Sequence, residues 1–147
     1  MRIIAHRGNI NGPDEFSENR PDTILAALEK GYDVEVDLHV VDKKFYLGHD
    51  KPQYLIEPEF LMNQKIWVHC KNSEALRAMS EQNLCHYFWH QSDAYTITSK
   101  GFIWTYVWAT LIPNQYSVCV LPEMSGRVKK DLLNCAGVCT DFPEQFI

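Results

Sequence analysis

Residues 32–50, YDVEVDLHVVDKKFYLGHD, constrain the fold more than any other part of the chain. From Val34 to His39, apolar and polar side chains alternate strictly, which is the period of a β-strand. Glu35 and Asp37 therefore point to the same side of that strand, about 7 Å apart. Standing alone, such a polar face is typical of a solvated edge strand.

The residues that follow return the chain toward this carboxylate pair. Asp42-Lys43-Lys44 predicts a turn, and residues 45–47 predict a short strand that runs back along the first one. Gly48-His49-Asp50 comes directly after that strand, so His49 is expected to lie near the carboxylates. The stretch thus gathers acidic residues and a histidine in one place.

The N-terminal segment is predicted to form a strand–helix–strand unit with this strand. Its elements are a strand over residues 2–5, a polar loop that offers Ser17 or Asn19 as a helix cap, and a helix over residues 23–30 with Pro21 in its first turn. The default right-handed crossover makes the first strand a parallel neighbour of the Glu35 strand. His6 and Glu35 then lie at corresponding, C-terminal parts of their strands. In α/β barrels, the catalytic residues lie at that end of the strands.

The rest of the chain also predicts strands and helices. Further strands are predicted over residues 65–71, 84–90, 116–121 and 137–141, and further helices over residues 73–82 and 127–135. Residues 95–98 and 102–106 have β-like composition, but Ser99-Lys100-Gly101 between them predicts a hairpin turn. A link this short cannot carry a parallel crossover, which needs about a dozen residues. The pattern as a whole predicts an α/β fold built on a parallel sheet.

Length and charge limit the number of domains and the class of partner. With 147 residues, 46% of them hydrophobic and 22% charged, the chain is long enough for one domain with a core and too short for two. The net charge is -5 and the basic residues are scattered, so nothing predicts a nucleic-acid partner. An anionic substrate would have to be held by a few placed cations or by a metal.

The N-terminal residues and the cysteines indicate the cellular compartment. The first residues, MRIIAHRG, lack the sectors of a signal peptide, and no stretch approaches the ~18 apolar residues of a membrane span. Five cysteines without a CxxC pair sit mostly in apolar runs, which predicts reduced core residues; they are Cys70, Cys85, Cys119, Cys135 and Cys139. We therefore expect a cytoplasmic protein without a membrane span.

Several short motifs occur in a fixed order along the chain. They are His6-Arg7-Gly8, Glu18-Asn19, Glu35-x-Asp37 with Leu38-His39, Gly48-His49-Asp50, Trp104-Thr105 and Thr140-Asp141-Phe142-Pro143. This set resembles the glycerophosphodiester phosphodiesterase family, within the phospholipase-C-like phosphodiesterase superfamily. The match is dense over residues 3–50 and sparse beyond Lys71.

The resemblance implies a TIM-type (β/α) barrel, a divalent metal and hydrolysis of a small-molecule phosphodiester by two histidines acting as acid and base. The residues that it implies are the catalytic pair His6 and His49, the phosphate-contacting Arg7 and Lys71, and the metal ligands Glu35 and Asp37. These roles come from the likeness and are expectations for this chain.

Two departures from the family pattern change what is expected. The chain is far shorter than the ~250 residues typical of the barrel, so several outer helices are expected to be short or missing. Apolar surface left uncovered by the missing helices predicts a homo-oligomer.

The third metal carboxylate of the family, expected two residues before Lys71, is replaced by His69. Because His69 shares a strand face with Lys71, we expect it to be a direct or water-mediated third metal partner.

Elementary chemistry agrees with these roles. Hydrolysis of a phosphodiester needs neutralisation of the anionic oxygens, a base for the nucleophile and an acid for the leaving group. Hard carboxylates favour Mg²⁺ or Ca²⁺, while the nitrogen of His69 makes Mn²⁺ or Zn²⁺ alternatives. Histidines titrate near neutrality, so His6 and His49 can hold opposite protonation states.

Other interpretations stay open at this point. A catalytically inactive ligand-binding barrel would explain the missing carboxylate, but it gives no reason for two histidines and two carboxylates to occur together. An isomerase or aldolase would use Lys71 as a Schiff base, which fits the neighbouring acids and histidines less well than a metal phosphodiesterase. Among the other histidines, His39 and His86 are expected to be structural and His90 to line the pocket.

Overall fold

A single ten-stranded sheet runs through the described part of the chain, residues 1–82 and 85–147 of a computed structural model. Its strands, in chain order, are β1 (Arg2–Ala5), β2 (Asp33–Val41), β3 (Lys44–Leu47), β4 (Tyr54–Ile56), β5 (Ile66–Cys70), β6 (His86–Trp89), β7 (Tyr95–Ile97), β8 (Ile103–Thr105), β9 (Ser117–Val120) and β10 (Gly137–Thr140). The strand predicted over residues 84–90 is observed as β6, and Leu84 lies outside the described residues.

Three α-helices accompany the sheet in those residues, namely α1 (Pro21–Glu29), α2 (Ser73–Gln82) and α3 (Pro122–Ser125). Short 3-10 segments occur at His6–Gly8, Pro58–Met62, Lys129–Leu132 and Pro143–Phe146. The helix predicted over residues 127–135 is therefore only a 3-10 turn. In the described residues, no helix has both the length and the apolar character that crossing a membrane requires.

Local signals locate α1 and α2 correctly, but the caps predicted for α1 are not used. Pro21 begins α1, as predicted, because its fixed φ suits the first helical position. The N-cap is Arg20 without a side-chain hydrogen bond, so neither predicted cap is used. At α2, Ser73 already belongs to the helix, and the Asn72 side-chain oxygen accepts the capping hydrogen bond from a backbone N–H at 3.0 Å.

The strands lie in the order β6-β5-β2-β1-β10-β9-β8-β7, with β3 and β4 joined to the edge of β2. The strands from β6 through to β8 are parallel to one another. The hairpins add the antiparallel pairs β2–β3, β3–β4 and β7–β8. The predicted hairpin through Ser99-Lys100-Gly101 is thus confirmed, and residues 95–97 form the last strand of the sheet.

The molecule is a small mixed-sheet half-barrel, so the prediction of a TIM-type (β/α) barrel is wrong. A TIM barrel repeats a strand–helix unit eight times, whereas α1, α2 and the four-residue α3 are the α-helices in the described residues. The physical reason is connection length. Asp42 and Lys43, both at positive φ, make the tight turn between β2 and β3, and residues 98–102 link β7 to β8. Links this short permit antiparallel pairing only.

Strand β2 is the centre of the sheet. Its first half pairs with β1 and with β5, and its second half pairs with β3. Every residue from Asp33 to Val40 is buried, including the acidic ones. The polar face of β2 is therefore covered by protein, which excludes the solvated edge strand as an interpretation.

The two faces of the sheet have different contents. Val34, Val36 and Leu38 pack into the main apolar core together with residues of α1 and α2. On the opposite face, the ring of Trp67 and its neighbours pack into a second buried cluster that also includes Trp104. The alternation along β2 thus separates an apolar layer under the helices from a concave face that carries the acidic residues.

Truncation of Leu38 to alanine is expected to destabilise the protein by about 2–5 kcal/mol, because its side chain is 0% exposed and leaves a cavity. Val41→Ala on the same strand is the matched control, since Val41 is 41% exposed and should cost under about 1 kcal/mol. Urea denaturation followed by circular dichroism measures both. Equal losses would contradict the central position of β2.

Candidate functional site

A cleft of about 610 Å³ opens above the concave face of the sheet. Six of the seven residues predicted for the site line it: His6, Arg7, Glu35, His49, His69 and Lys71. The seventh, Asp37, is buried and contacts several of them. The fold therefore brings together residues from β2, from β5 and its end, from the 3-10 segment after β1 and from the turn after β3.

The Asp37 carboxylate lies at the centre of the cluster and is 1% exposed. Its Oδ2 accepts hydrogen bonds from Asn19 Nδ2 at 2.9 Å and from His49 Nδ1 at 3.3 Å. The backbone N–H of Asp37 also donates to Asn19 Oδ1 at 2.9 Å. Burial disfavours the charged form, but the adjacent His49 and His69 rings hold the pKa of Asp37 well below its usual range.

His69 lies beside both carboxylates. Its Nε2–H donates to the backbone carbonyl of His90 at 2.7 Å, which directs Nδ1 toward Asp37 Oδ1 at 3.2 Å and Glu35 Oε1 at 3.5 Å. The ring stacks on Phe88 at 4.9 Å. Burial opposes protonation of the ring, but the adjacent carboxylates of Asp37 and Glu35 raise the pKa of His69 to about 9.

Glu35, Asp37 and His69 have the composition and spacing of a divalent-metal site. One ligand atom from each lies within 4.8 Å of the other two. Asp37 Oδ1 is buried and accepts no hydrogen bond, so a strong acceptor is left for a cation. The bond from His69 Nε2 to a carbonyl is the outer partner that metal-ligating histidines ordinarily have. These residues fit a metal.

His6 follows β1 and is oriented by an acidic residue from the other end of the chain. Its Nδ1–H donates to Asp141 Oδ1 at 2.8 Å, and Asn9 Nδ2 donates to the same oxygen at 2.8 Å. Burial opposes protonation of the ring, but Asp141 and Glu35 raise the pKa of His6 above its ordinary value. A histidine held in one orientation by a carboxylate is suited to proton transfer.

Asp141 itself is fixed by Glu123 in α3. The Glu123 carboxylate accepts hydrogen bonds from the backbone N–H of Asp141 at 2.8 Å and from the hydroxyl of Thr140 at 3.0 Å. The parallel pairing of β1 with β10 places Ala5 opposite Thr140, so His6 and Asp141 follow at the same end of adjacent strands.

His49 is held between an acid and a cation. Its Nδ1–H donates to Asp37 Oδ2 at 3.3 Å, and its Nε2 accepts from Arg7 Nη2 at 3.1 Å. This pair of bonds corresponds to the neutral tautomer with the proton on Nδ1. The preceding Gly48 is required, because a Cβ there would lie 2.1 Å from the carbonyl oxygen of Lys51.

Arg7 and Lys71 supply positive charge at the floor of the cleft. Arg7 lies at the unusual φ of 53°, and its backbone N–H donates to Glu35 Oε2 at 3.1 Å. Its guanidinium donates to Glu18 Oε1 at 3.1 Å, and its Nε lies 3.2 Å from Asp37 Oδ2. Lys71 Nζ lies 3.8 Å from Asp37 Oδ1.

No role in the site was predicted for the residues that position the catalytic and metal-binding candidates. Asp141 and Asn19 occur in the quoted motifs, but their contacts with His6 and Asp37 join segments far apart in sequence. The only signal available was that Thr140-Asp141 ends a predicted strand, as His6 does. For Glu123 and Asn9 there was no signal in the sequence.

The other histidines lie where the sequence analysis expected them. His86 is buried, hydrogen-bonded to the Thr98 hydroxyl at 2.7 Å and packed on Trp67, and burial lowers its pKa to about 3. His39 is buried and its Nε2–H donates to the His49 carbonyl at 3.3 Å. His90 lines the cleft.

No protein-family model, curated protein or solved structure matches the chain. The family resemblance of its motifs therefore stays a prediction, and the function has to be argued from the geometry of the cleft.

The raised pKa of His69 makes the stability of the metal-free protein depend on pH. Because the folded value is about 9 and the ordinary value is 6.5, the stabilisation is fully present below pH 6.5 and is lost as pH rises through about 9. We expect the free energy of unfolding to fall more steeply over that range in the wild-type protein than in His69→Gln. Urea denaturation in EDTA measures it, and parallel pH profiles would contradict the assignment.

Proposed function

We propose that the protein is a metal-dependent phosphodiesterase that hydrolyses a glycerophosphodiester-like small molecule. The observation that carries this proposal is the convergence of two histidines, a carboxylate–histidine cluster and two cations on one cleft. Each group corresponds to a requirement of the reaction: neutralised phosphate oxygens, a base and an acid. A cleft with these groups in separate places would not support the same chemistry.

Glu35, Asp37 and His69 would hold the divalent metal, with Mg²⁺ or Ca²⁺ favoured by the carboxylates and Mn²⁺ or Zn²⁺ by the imidazole nitrogen. When bound there, the metal would neutralise charge on the phosphate and polarise the phosphorus for attack. The protein contributes the fixed positions of the three ligands. Asn19 restrains Asp37 through two hydrogen bonds, and the His90 carbonyl restrains His69.

His6 is suited to be the general acid. Its pKa is raised by Asp141 and Glu35 against the effect of burial, which favours the protonated ring near neutral pH. Because Nδ1 is bonded to Asp141, the proton available to a leaving alkoxide is the one on Nε2. His6 lines the cleft, so this nitrogen can reach a bound substrate.

His49 is suited to be the general base. With its Nδ1 proton donated to Asp37, the ring offers the lone pair of Nε2, which accepts a hydrogen bond from Arg7. A phosphate in the cleft would compete for the same guanidinium, because arginine binds phosphate oxygens through two parallel hydrogen bonds. Transfer of Arg7 to the phosphate would free Nε2 to accept a proton from the nucleophile, with Lys71 as a second phosphate contact.

Removal of either histidine is expected to reduce turnover by roughly 10²-fold or more. The variants His6→Ala and His49→Ala are measured with bis(p-nitrophenyl) phosphate and with glycerophosphocholine, in added Mg²⁺ or Mn²⁺. The double variant should lose much less than the product of the single losses, because the two residues act in one reaction.

The matched control for this experiment is His86→Gln, whose ring is buried at the other end of the strands and contacts Thr98. Its turnover should stay within about twofold of the wild type. Ordinary turnover in either single alanine variant would remove that histidine from the mechanism. Absence of hydrolysis in the wild type with every metal and diester would overturn the proposal itself.

The metal preference is expected to depend on His69. A neutral imidazole in place of a carboxylate removes one negative charge, which should weaken Mg²⁺ and favour Mn²⁺ or Zn²⁺. We expect His69→Glu to tighten Mg²⁺ binding and His69→Ala to weaken Mn²⁺ binding in calorimetric titrations. Unchanged affinities for both ions in both variants would show that His69 is not a metal partner.

A further inference from the structure

The cleft has two walls of unlike chemistry. Besides the histidines and cations, seven mostly apolar and aromatic residues from two segments line the cleft, and we call them the apolar wall: Trp104, Tyr106, Val107, Trp108, Val120, Leu121 and Met124. The first segment begins within β8 and continues past its end, and the second runs from the end of β9 into α3. Phosphate chemistry makes no use of such a wall, so it needs a separate explanation.

Two large apolar side chains of this wall are exposed. Trp108 is 65% exposed and Met124 is 54% exposed. A single exposed apolar residue is ordinary, but here a tryptophan and a methionine from different segments line the same cleft. Both side chains can pack against flat or flexible apolar groups.

The backbone around Trp108 is held in place by Arg127. The Arg127 guanidinium donates to the carbonyl of Val107 at 3.1 Å through Nη1 and to the carbonyl of Ala109 at 2.8 Å through Nη2. These are the two residues that flank Trp108. Because a charged group is hydrogen-bonded to the carbonyls of both neighbours, the backbone at Trp108 is restrained where this residue lines the cleft.

The second segment is positioned by a residue in an uncommon conformation. Leu121 has φ 46° and ψ 56°, a left-handed backbone that a bulky residue rarely adopts. Its N–H donates to the Cys139 carbonyl at 2.7 Å, and its own carbonyl accepts from Met124 N–H at 3.0 Å. These bonds turn the chain sharply from β9 into α3 and place Met124 in the wall.

We propose that Trp108 and Met124 are specificity-determining residues that bind an alkyl or acyl chain carried by one alcohol of the phosphodiester. The inference rests on the proposed function and adds a substrate class to it. The polar wall and the apolar wall belong to one cleft of about 610 Å³, so a molecule with an anionic head and an apolar chain can contact both at once. The charged wall fixes the phosphate, and the apolar wall selects the substituent.

The kinetic test compares glycerophosphocholine with its hexanoyl monoester, at concentrations below those at which the ester forms micelles. We expect the wild type to show a KM for the ester lower by about tenfold, and Trp108→Ala to lose that difference while its kcat/KM for glycerophosphocholine stays the same. Arg127→Gln should give an intermediate loss, because the backbone around Trp108 would be less restrained. The matched control is Tyr116→Ala, an aromatic residue that is 53% exposed and does not line the cleft.

A binding test separates this inference from the proposed function. Octyl phosphate and methyl phosphate are titrated calorimetrically into the wild type and Trp108→Ala. The expected result is a loss of about tenfold in affinity for octyl phosphate alone, which needs no turnover.

The possible failures are distinct. Hydrolysis of both diesters with equal KM, and equal binding of both phosphates, would overturn the apolar subsite and leave the phosphodiesterase intact. Absence of hydrolysis would overturn the proposed function, and the titration would still decide whether Trp108 holds an alkyl chain. Trp108-dependent sedimentation with phosphatidylcholine vesicles, without any preference for octyl phosphate, would overturn the inference in favour of a membrane contact.

Discussion

The burial of the Asp37 carboxylate is the constraint on which the site depends. Removing a carboxylate from water costs several kcal/mol unless opposite charges and hydrogen bonds replace the solvent. Here Asn19, His49 and Arg7 surround Oδ2, while His69 and Lys71 approach Oδ1. These groups come from four segments of the chain, because His69 and Lys71 both belong to β5 and its end. Compensation of a single buried charge therefore draws the loop before α1, the turn after β3 and the strand β5 to one place.

The same electrostatic arrangement gives the cleft its chemical capacity. The cations that offset Asp37 and Glu35 are also the groups that we propose to bind phosphate, and His49, which contacts Asp37, is the proposed general base. Asp37 Oδ1 is the one acceptor of this carboxylate without a hydrogen bond, and it faces His69. The groups that compensate the buried charge of Asp37 are thus the same groups that the proposed catalysis uses.

Sequence patterns predicted local structure better than architecture. The alternation in β2, the helix after Pro21 and the hairpin at Ser99-Lys100-Gly101 were correct because each depends on neighbouring residues. The TIM-type barrel was wrong because it was inferred from motifs concentrated in residues 3–50. In the later half of the chain, residues 98–102 are too short a link for a crossover helix, and the links at residues 106–116 and 121–136 carry no α-helix longer than the four-residue α3. Asn19 was taken for a helix cap, since its partner Asp37 lies 18 residues away and local signals do not show such contacts.

The sequence by itself determined which chemical groups are available and which side of β2 presents them. Successive side chains in a strand point to opposite faces, so every second residue lies on the same face. The sequence also predicted that His49 lies near the carboxylates, since the short turn predicted at Asp42-Lys43-Lys44 sends the chain back along the strand. Only the tertiary structure decided that this polar face is buried, that Asp141 orients His6 and that Trp108 lines the same cleft. These features depend on which distant strands become neighbours, and that choice is made by the packing of the whole sheet.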